Sequence, residues 1–203
     1  MRYLTPAAAS TYEADPIKGS RFWAHVVPVT DEAGAMGAVR SIEAENPDAD
    51  HCCWAWRLRS GPTRSWDAAE PRGSAGRPIL AQIEGHEVFD VAVVVLRHFG
   101  GTKLGVGGLV RAYGGTAGKA LDRAVLREVA DTVEVVVPYT YADTQAVEAA
   151  LLSAGAVDVT TDWGEHVRRV VRVEADAADA LITDLRDRTA GRVLATPSAS
   201  SGA

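Results

Sequence analysis

Cysteine is nearly absent from this chain, and the two that occur, Cys52 and Cys53, are neighbours. Adjacent thiols suit no ordinary structural bridge and supply only half of a four-cysteine zinc site, which excludes a disulfide scaffold and a zinc site of that kind. Aromatic residues make up only 6%, and no apolar run approaches the roughly 20 residues that a membrane helix needs. The opening MRYLTPAAASTYEADP lacks both the charged start with an apolar core of a secretory signal and the pattern of a transit peptide. A cytoplasmic location and no membrane partner are therefore expected. What is present is 203 residues, 47% of them hydrophobic, which is too apolar for a disordered chain and enough for one or two globular domains.

The net charge is −6, but it is distributed unevenly. Residues 1–50 hold 4 basic and 8 acidic side chains, and residues 131–203 hold 6 and 12. Between them, residues 51–130 hold 11 basic and 7 acidic, a net +4. Glycine follows the same geography, since 11 of the 19 lie between Gly73 and Gly118. Glycine that dense, between an apolar strand and a helix, signals close backbone approach or positive φ. A functional site is most economically placed there.

Periodicity predicts the elements. Ser20 to Thr30 reads as a strand, Asp31 as the cap of a helix over Glu32–Glu45, and Asn46-Pro47 as its stop. His51 to Arg59 is a strand with His51, Cys53 and Ala55 on one face, and Ser60 to Gly76 a long polar loop. Arg77 to Ile83 is a short helix, and Val88 to Leu96 an apolar strand buried on both faces. After the loop Arg97 to Val106, a helix runs from Gly107 to Glu128. A second unit then reads strand Thr132–Val137, helix Thr144–Ser153, strands Val157–Asp162 and Val167–Val173, helix Ala177–Arg188 and strand Arg192–Ala195. That βαββαβ order is the ferredoxin-like split βαβ arrangement. The expected class is α+β: domain 1–130, ferredoxin-like domain 131–196 and a disordered tail 197–203.

The glycine loop between the buried strand and the long helix offers free N–H groups and a helix dipole, with Arg97, Lys103 and Arg111 to add charge. Gly100, Gly101, Gly105, Gly107 and Gly108 thus form a candidate anion cradle; the alternative is that they let the helix pack tightly while Arg111 pairs with an acid such as Glu70. The dinucleotide fingerprint fails at Val110 and no phosphate-loop motif occurs, so no cofactor is indicated. Arg111, Lys119, Arg123 and Arg127 are spaced in multiples of four, a ridge drifting about 40° per step. It either tracks a nucleic-acid backbone or is a solvated helix face. An alternative site comprises His51, Cys53, Glu70 and Ser74, with Asp67 and Glu70 as an acid–base pair or as partners of Arg72 and Arg77. His51 and Cys53 lack the further ligands that a metal requires, so no metal is expected, and Trp54, Trp56 and Trp66 are core or stacking platforms.

Three stretches resemble the YigZ/IMPACT family. The segment RHFGGTKLGVGGLVRAY, Arg97 to Tyr113, is similar to its signature RYFGGxxLGxGGLxRAY. Glu70 to Leu80 resembles GEPSGTAGxPIL, and Lys18 to Phe22 with His51-x-Cys53 resembles KxSxF and HxC. Three positions depart: His98 for Tyr, Arg72 for Ser and Ala69 for Gly. The resemblance covers residues 17–121, and the second unit resembles the C-terminal domain of the bacterial branch. It implies an α/β sandwich like the second domain of a small-subunit ribosomal protein, and a link to translation, which eukaryotic members regulate at initiation. The eukaryotic partner-binding domain lies outside the matched region, so its partner is not carried over. The primary expectation is a non-enzymatic regulatory protein associated with RNA or the ribosome, its acidic C-terminal domain carrying a protein contact. The alternative is an enzyme acting on a small phosphorylated or peptide-like substrate, in a cleft between the Glu70 loop and the glycine loop.

Overall fold

The computed structural model describes residues 2–59 and 61–198. Contacts divide the chain into a unit of Tyr3–Val129 and a second unit of residue 2 and residues 130 onward. In the first unit, but for the end residues Arg2 and Ala130, lie strands β1 (Arg2–Pro6), β2 (Ser10–Glu13), β3 (Arg21–Pro28), β4 (His51–Arg57), β5 (Thr63–Trp66), β6 (Val91–His98) and β7 (Leu126–Ala130). Its helices are α1 (Glu32–Glu45), α2 (Gly76–Gly85) and α3 (Val106–Arg123). Five strands form an antiparallel sheet in the order β2-β3-β6-β4-β5, while β1 and β7 pair separately.

The central strand β6 explains the layering. Alternate side chains of a strand point to opposite faces, and both faces of β6 are apolar. Val91, Val93 and Val95 pack with Ile79 and Ile83 of α2 and with Leu109, Tyr113 and Leu121 of α3. Ala92, Val94 and Leu96 pack on the opposite face against Ala35, Val39 and Ile42 of α1. The result is an α/β sandwich, as expected, with helices on both faces of the sheet. The Asp31 carboxylate caps α1 by accepting from the Gly34 N–H at 2.7 Å.

The second unit contains β8 (Thr132–Tyr139), α4 (Thr144–Ser153), β9 (Val157–Trp163), β10 (Val167–Glu174), α5 (Ala178–Arg188) and β11 (Thr196–Pro197). Sheet order β11-β8-β10-β9 with antiparallel pairing is the ferredoxin-like topology. Val135, Val137 and Val171 share one core with Val147 and Leu151 of α4 and Leu181 and Leu185 of α5.

Several expectations need correction. The long helix ends at Arg123 rather than Glu128, because Leu126–Ala130 pairs with β1; Arg127 leaves the helical ridge. Thr63–Trp66, inside the expected loop, is an edge strand on β4. The last strand is Thr196–Pro197, paired to Val136 and Val135, in place of Arg192–Ala195. Of the expected disordered tail 197–203, Pro197 and Ser198 are anchored on β8, the latter through its N–H to the Glu134 carbonyl at 2.7 Å. Residues 199–203 lie outside the described residues. No helix among the described residues is long and apolar enough to cross a membrane.

Candidate functional site

Strand parity decides where Arg97 goes. Two residues beyond Val95, it turns to the face covered by α2 and α3 and is buried there. Its Nη1 donates to Glu70 Oε1 at 2.6 Å and its Nη2 to Ser20 Oγ at 3.2 Å. The Tyr113 hydroxyl donates to the same Glu70 oxygen at 2.8 Å, and His51 Nε2 lies 3.6 Å from it. Burial first, and then the neighbouring Cys53 and Glu70, raise the Tyr113 pKa far above its ordinary value, so the hydroxyl keeps its proton and remains a donor. Such a buried pair persists because each charge is met by directed hydrogen bonds, and removing one partner would strand the other. Arg97 Nε and His51 Nδ1 find no partner within the protein.

The loop after β5 is held by Asp67. Its carboxylate accepts from the N–H groups of Gly73, Ala75 and Gly76 at 2.8, 2.9 and 2.8 Å, closing the turn that starts α2. Desolvation opposes ionisation of Asp67, but these three donors, assisted by the Arg77 charge, outweigh it and hold the carboxyl below its usual range. Ser74 is fully buried with its hydroxyl on the Pro71 carbonyl at 2.6 Å, so it fastens the same turn. Cys53 is sealed, its thiol donating to the Asp67 carbonyl at 3.1 Å, and burial pushes its pKa up to about 12.

Over this cluster opens a cleft of about 380 Å³. His51 and Arg97 line it from the sheet, Glu70 and Pro71 from the loop after β5, Lys103, Leu104 and Gly105 from the glycine loop, and Val106 and Leu109 from α3, with Phe99 completing it. The cleft is polar at Glu70 and apolar along most of its wall.

The glycines of the loop separate by what a side chain would meet. At Gly100 a Cβ would lie 1.8 Å from the Gly19 carbonyl carbon, so this glycine is required by packing. Gly101 and Gly105 have φ of +83° and +70°, where L residues are strained. Gly108 is crowded by Leu104 Cβ at 3.0 Å. Gly107 differs, since a Cβ there would meet only the Arg111 guanidinium at 3.7 Å, and within α3 Gly115 would meet nothing within 4 Å.

Those two open glycines belong to one line. Gly107, Arg111, Gly115, Lys119 and Arg123 are all exposed and spaced four apart on a helix whose other faces are mostly buried. Neither Lys103, Arg111, Lys119 nor Arg123 makes an ion pair among the described residues. Arg123 stacks on the Tyr12 ring at 4.3 Å. The one acid exposed on α3, Asp122, is held by His86 Nε2 at 3.0 Å. Arg111, Gly115 and Lys119 line a groove of about 230 Å³ with residues 14–17, which include Asp15.

Comparison with known proteins completes the assignment. Residues 18–121 match the model of the Impact N-terminal domain, and residues 139–192 match a domain of unknown function, DUF1949. IMPACT family member YigZ of Escherichia coli is 35% identical over 181 residues, covering 87% of each chain. The chain belongs to the IMPACT family. A family member from Thermus thermophilus is 46% identical over 120 residues, 59% of this chain and 64% of that one. A crystal structure of a hypothetical protein is 31% identical, with a TM-score of 0.80 over 98% of both chains.

In this IMPACT family chain the signature residues therefore do different jobs. The arginine on Glu70 is Arg97, where the packing alternative had expected Arg111. Arg97 is committed to the buried cluster, while Lys103, Arg111, Lys119 and Arg123 remain exposed. His51 and Glu70 come together, and Ser74 and Cys53 sit behind them in structural roles. His98 meets Trp23 edge-on at 5.0 Å. Trp54 and Trp56 stack at 4.4 Å against the α1 side, and Trp66 is exposed. Sequence reasoning placed Ser20 in the KxSxF stretch without a role, and its hydroxyl joins Arg97 to the Gly100 N–H at 3.1 Å; the polar role of Tyr113 was missed. The signal for Tyr113 was a phenol among alanine and leucine on a buried helix face.

Proposed function

We propose that this IMPACT family protein is a non-enzymatic regulator that binds RNA, alone or on the ribosome, through the cationic line of α3. One observation carries the reading: the exposed line is Gly-Arg-Gly-Lys-Arg, its cations lack acid partners, and its glycines answer no demand of internal packing. Helical glycine costs about 1 kcal/mol relative to alanine, so two such positions are best explained by a partner backbone that comes close. Phosphates lying over the glycines would be flanked by Arg111 and Lys119, a contact that depends on charge and not on base. The acidic second unit repels a polyanion and is left for a protein contact. The enzyme alternative is favoured by the cleft beside Glu70, but the one thiol at that cluster is sealed and poorly ionised. Binding fits the site better than covalent chemistry.

The test is a salt series of RNA binding followed by fluorescence anisotropy. Three or four phosphate contacts predict a slope of log affinity against log salt of about −2 to −3, and Arg111→Glu should weaken binding and flatten the slope by about 1. Binding that is absent at low salt, or unaffected by the charge reversal, would overturn the proposal.

A further inference from the structure

The cleft beside the α3 N-terminus holds an acceptor that the protein leaves unused. Glu70 has a side chain only 4% exposed. Its Oε1 is taken by Arg97 and Tyr113, with His51 near. Its Oε2 accepts nothing from the chain and is not among the sealed polar atoms, and Glu70 is one of the residues that line the cleft. A carboxylate fixed by two donors on one oxygen cannot swing away to find water, and the other oxygen is thereby aimed.

The rest of the cleft describes what would meet that oxygen. Among the lining residues Phe99 is 46% exposed, with its backbone N–H anchored on Asp50 Oδ2 at 2.7 Å, and Val106 is 57% exposed. Leu104 and Leu109 supply apolar wall, and Lys103 supplies one exposed cation. The first turn of α3 has no side-chain cap on its N–H groups. A flat, apolar-faced ring with a hydrogen-bond donor on its edge and a phosphate attached fits all of these features at once. The volume of about 380 Å³ falls within the range of small-molecule sites.

We infer that the cleft is a nucleobase pocket that takes one amino-bearing base, adenine, cytosine or guanine, whose exocyclic amine donates to Glu70 Oε2 while its face lies against Phe99. Lys103 and the α3 N-terminus receive the phosphate of the same nucleotide. Uracil is disfavoured because its N3–H is flanked by two carbonyls, which would face a carboxylate with like partial charge. Splayed bases stacked on aromatic side chains and read on their edges are the usual form of single-strand RNA recognition. The inference rests on the RNA reading only for its biological setting, since the cation line begins at Gly107, next to this cleft, and the pocket can be tested on free nucleotides.

The experiment titrates the full chain with AMP, CMP, GMP and UMP and follows the backbone amide signals of Phe99, Leu104 and Val106 by NMR. The three amino-bearing nucleotides should shift them saturably, with UMP about tenfold weaker. Glu70→Gln should erase that discrimination. Because Glu70→Gln can strand Arg97 and unfold the unit, Val106→Trp is the second variant; it fills the mouth of the cleft from an exposed position and should abolish the shifts. No saturable shift, equal binding of UMP, or shifts unaltered in Val106→Trp would overturn the inference. RNA binding indifferent to Val106→Trp and to base identity would leave the cation line standing and remove the pocket. AMP binding without RNA binding would do the reverse.

Discussion

Replacing Gly115 by alanine tests the central argument because it should move stability and binding in opposite directions. Gly115 is exposed in mid-helix, and a Cβ there meets nothing within 4 Å. The methyl therefore introduces no clash and removes the backbone freedom that glycine has in the unfolded chain. The helix-propensity difference gives a gain of about 0.8–1 kcal/mol, which in a domain of this size raises the melting temperature by about 3–5 °C. If a phosphate lies over Gly115 between Arg111 and Lys119, the same methyl occupies its place. Losing about one such contact, of order 1 kcal/mol, weakens RNA binding roughly fivefold. Thermal melting and anisotropy at fixed low salt read the two effects on one preparation. A variant that is stabilised and binds RNA as well as wild type would refute the claim that this glycine is kept for close approach. A destabilised variant would refute the packing geometry itself. Gly100→Ala is the control, because its Cβ would lie 1.8 Å from Gly19 and should disrupt the loop.

Two further outcomes follow from the buried groups. Asp67 titrates below its ordinary value in the folded chain, so its contribution is present above the unfolded value of about 3.9 and is lost as pH falls through the lower folded value. Asp67→Asn should cost about 1–2 kcal/mol near neutrality by weakening the cap of the Gly73–Gly76 turn, and the gap from wild type should close in acid; a gap constant from pH 7 to below pH 3, by urea unfolding, would contradict this. Burial, assisted by Glu43 for Cys52 and by Glu70 among others for Cys53, raises the two thiols to about 11 and about 12. At pH 8 the native chain should react with iodoacetamide far more slowly at both than the urea-unfolded chain does, and rapid native labelling of Cys53 would be inconsistent with the sealed site.

What was legible in the sequence depended on how local its cause was. The bounds of α1 are written in a cap, Asp31, and a stop, Asn46-Pro47, and the structure keeps both. The ferredoxin-like unit is likewise announced by turns, with Gly155 and Gly191 at positive φ just beyond α4 and α5. The end of α3 was not legible, because Leu126 to Val129 satisfies a helical pattern and becomes a strand only by pairing with β1, some 120 residues earlier in the chain. Edge strand β5 was hidden in polar sequence for the same reason. In the site, Glu70 and His51 were named, but their joining to Arg97 was not, since the pairing spans 27 residues. One local signal was available: β6 is buried on both faces, so parity with Val95 turns Arg97 inward, and a charged side chain so placed requires a buried acid.

The burial of Arg97 on Glu70 changes how the charge of the chain bears on function. A net −6 argues against a polyanionic partner only if the acids stand near the contact, and at physiological salt that means within a Debye length of about 8 Å. On α3 the one exposed acid is engaged by His86, and among residues 14–17 across the groove the acid is Asp15. Four unpaired cations, Lys103, Arg111, Lys119 and Arg123, outnumber these two acids in the loop, the helix and the groove. Arg97, the cation that looked most central in the sequence, contributes nothing to this excess because Glu70 neutralises it. Affinity for RNA should then come from few contacts, be modest, and fall steeply with salt, whereas any discrimination among bases must come from the contact to the buried Glu70 carboxylate, where screening by salt is weak. Raising the salt should therefore weaken the binding of every RNA by a similar factor and leave the ratio between adenine-rich and uridine-rich strands nearly unchanged.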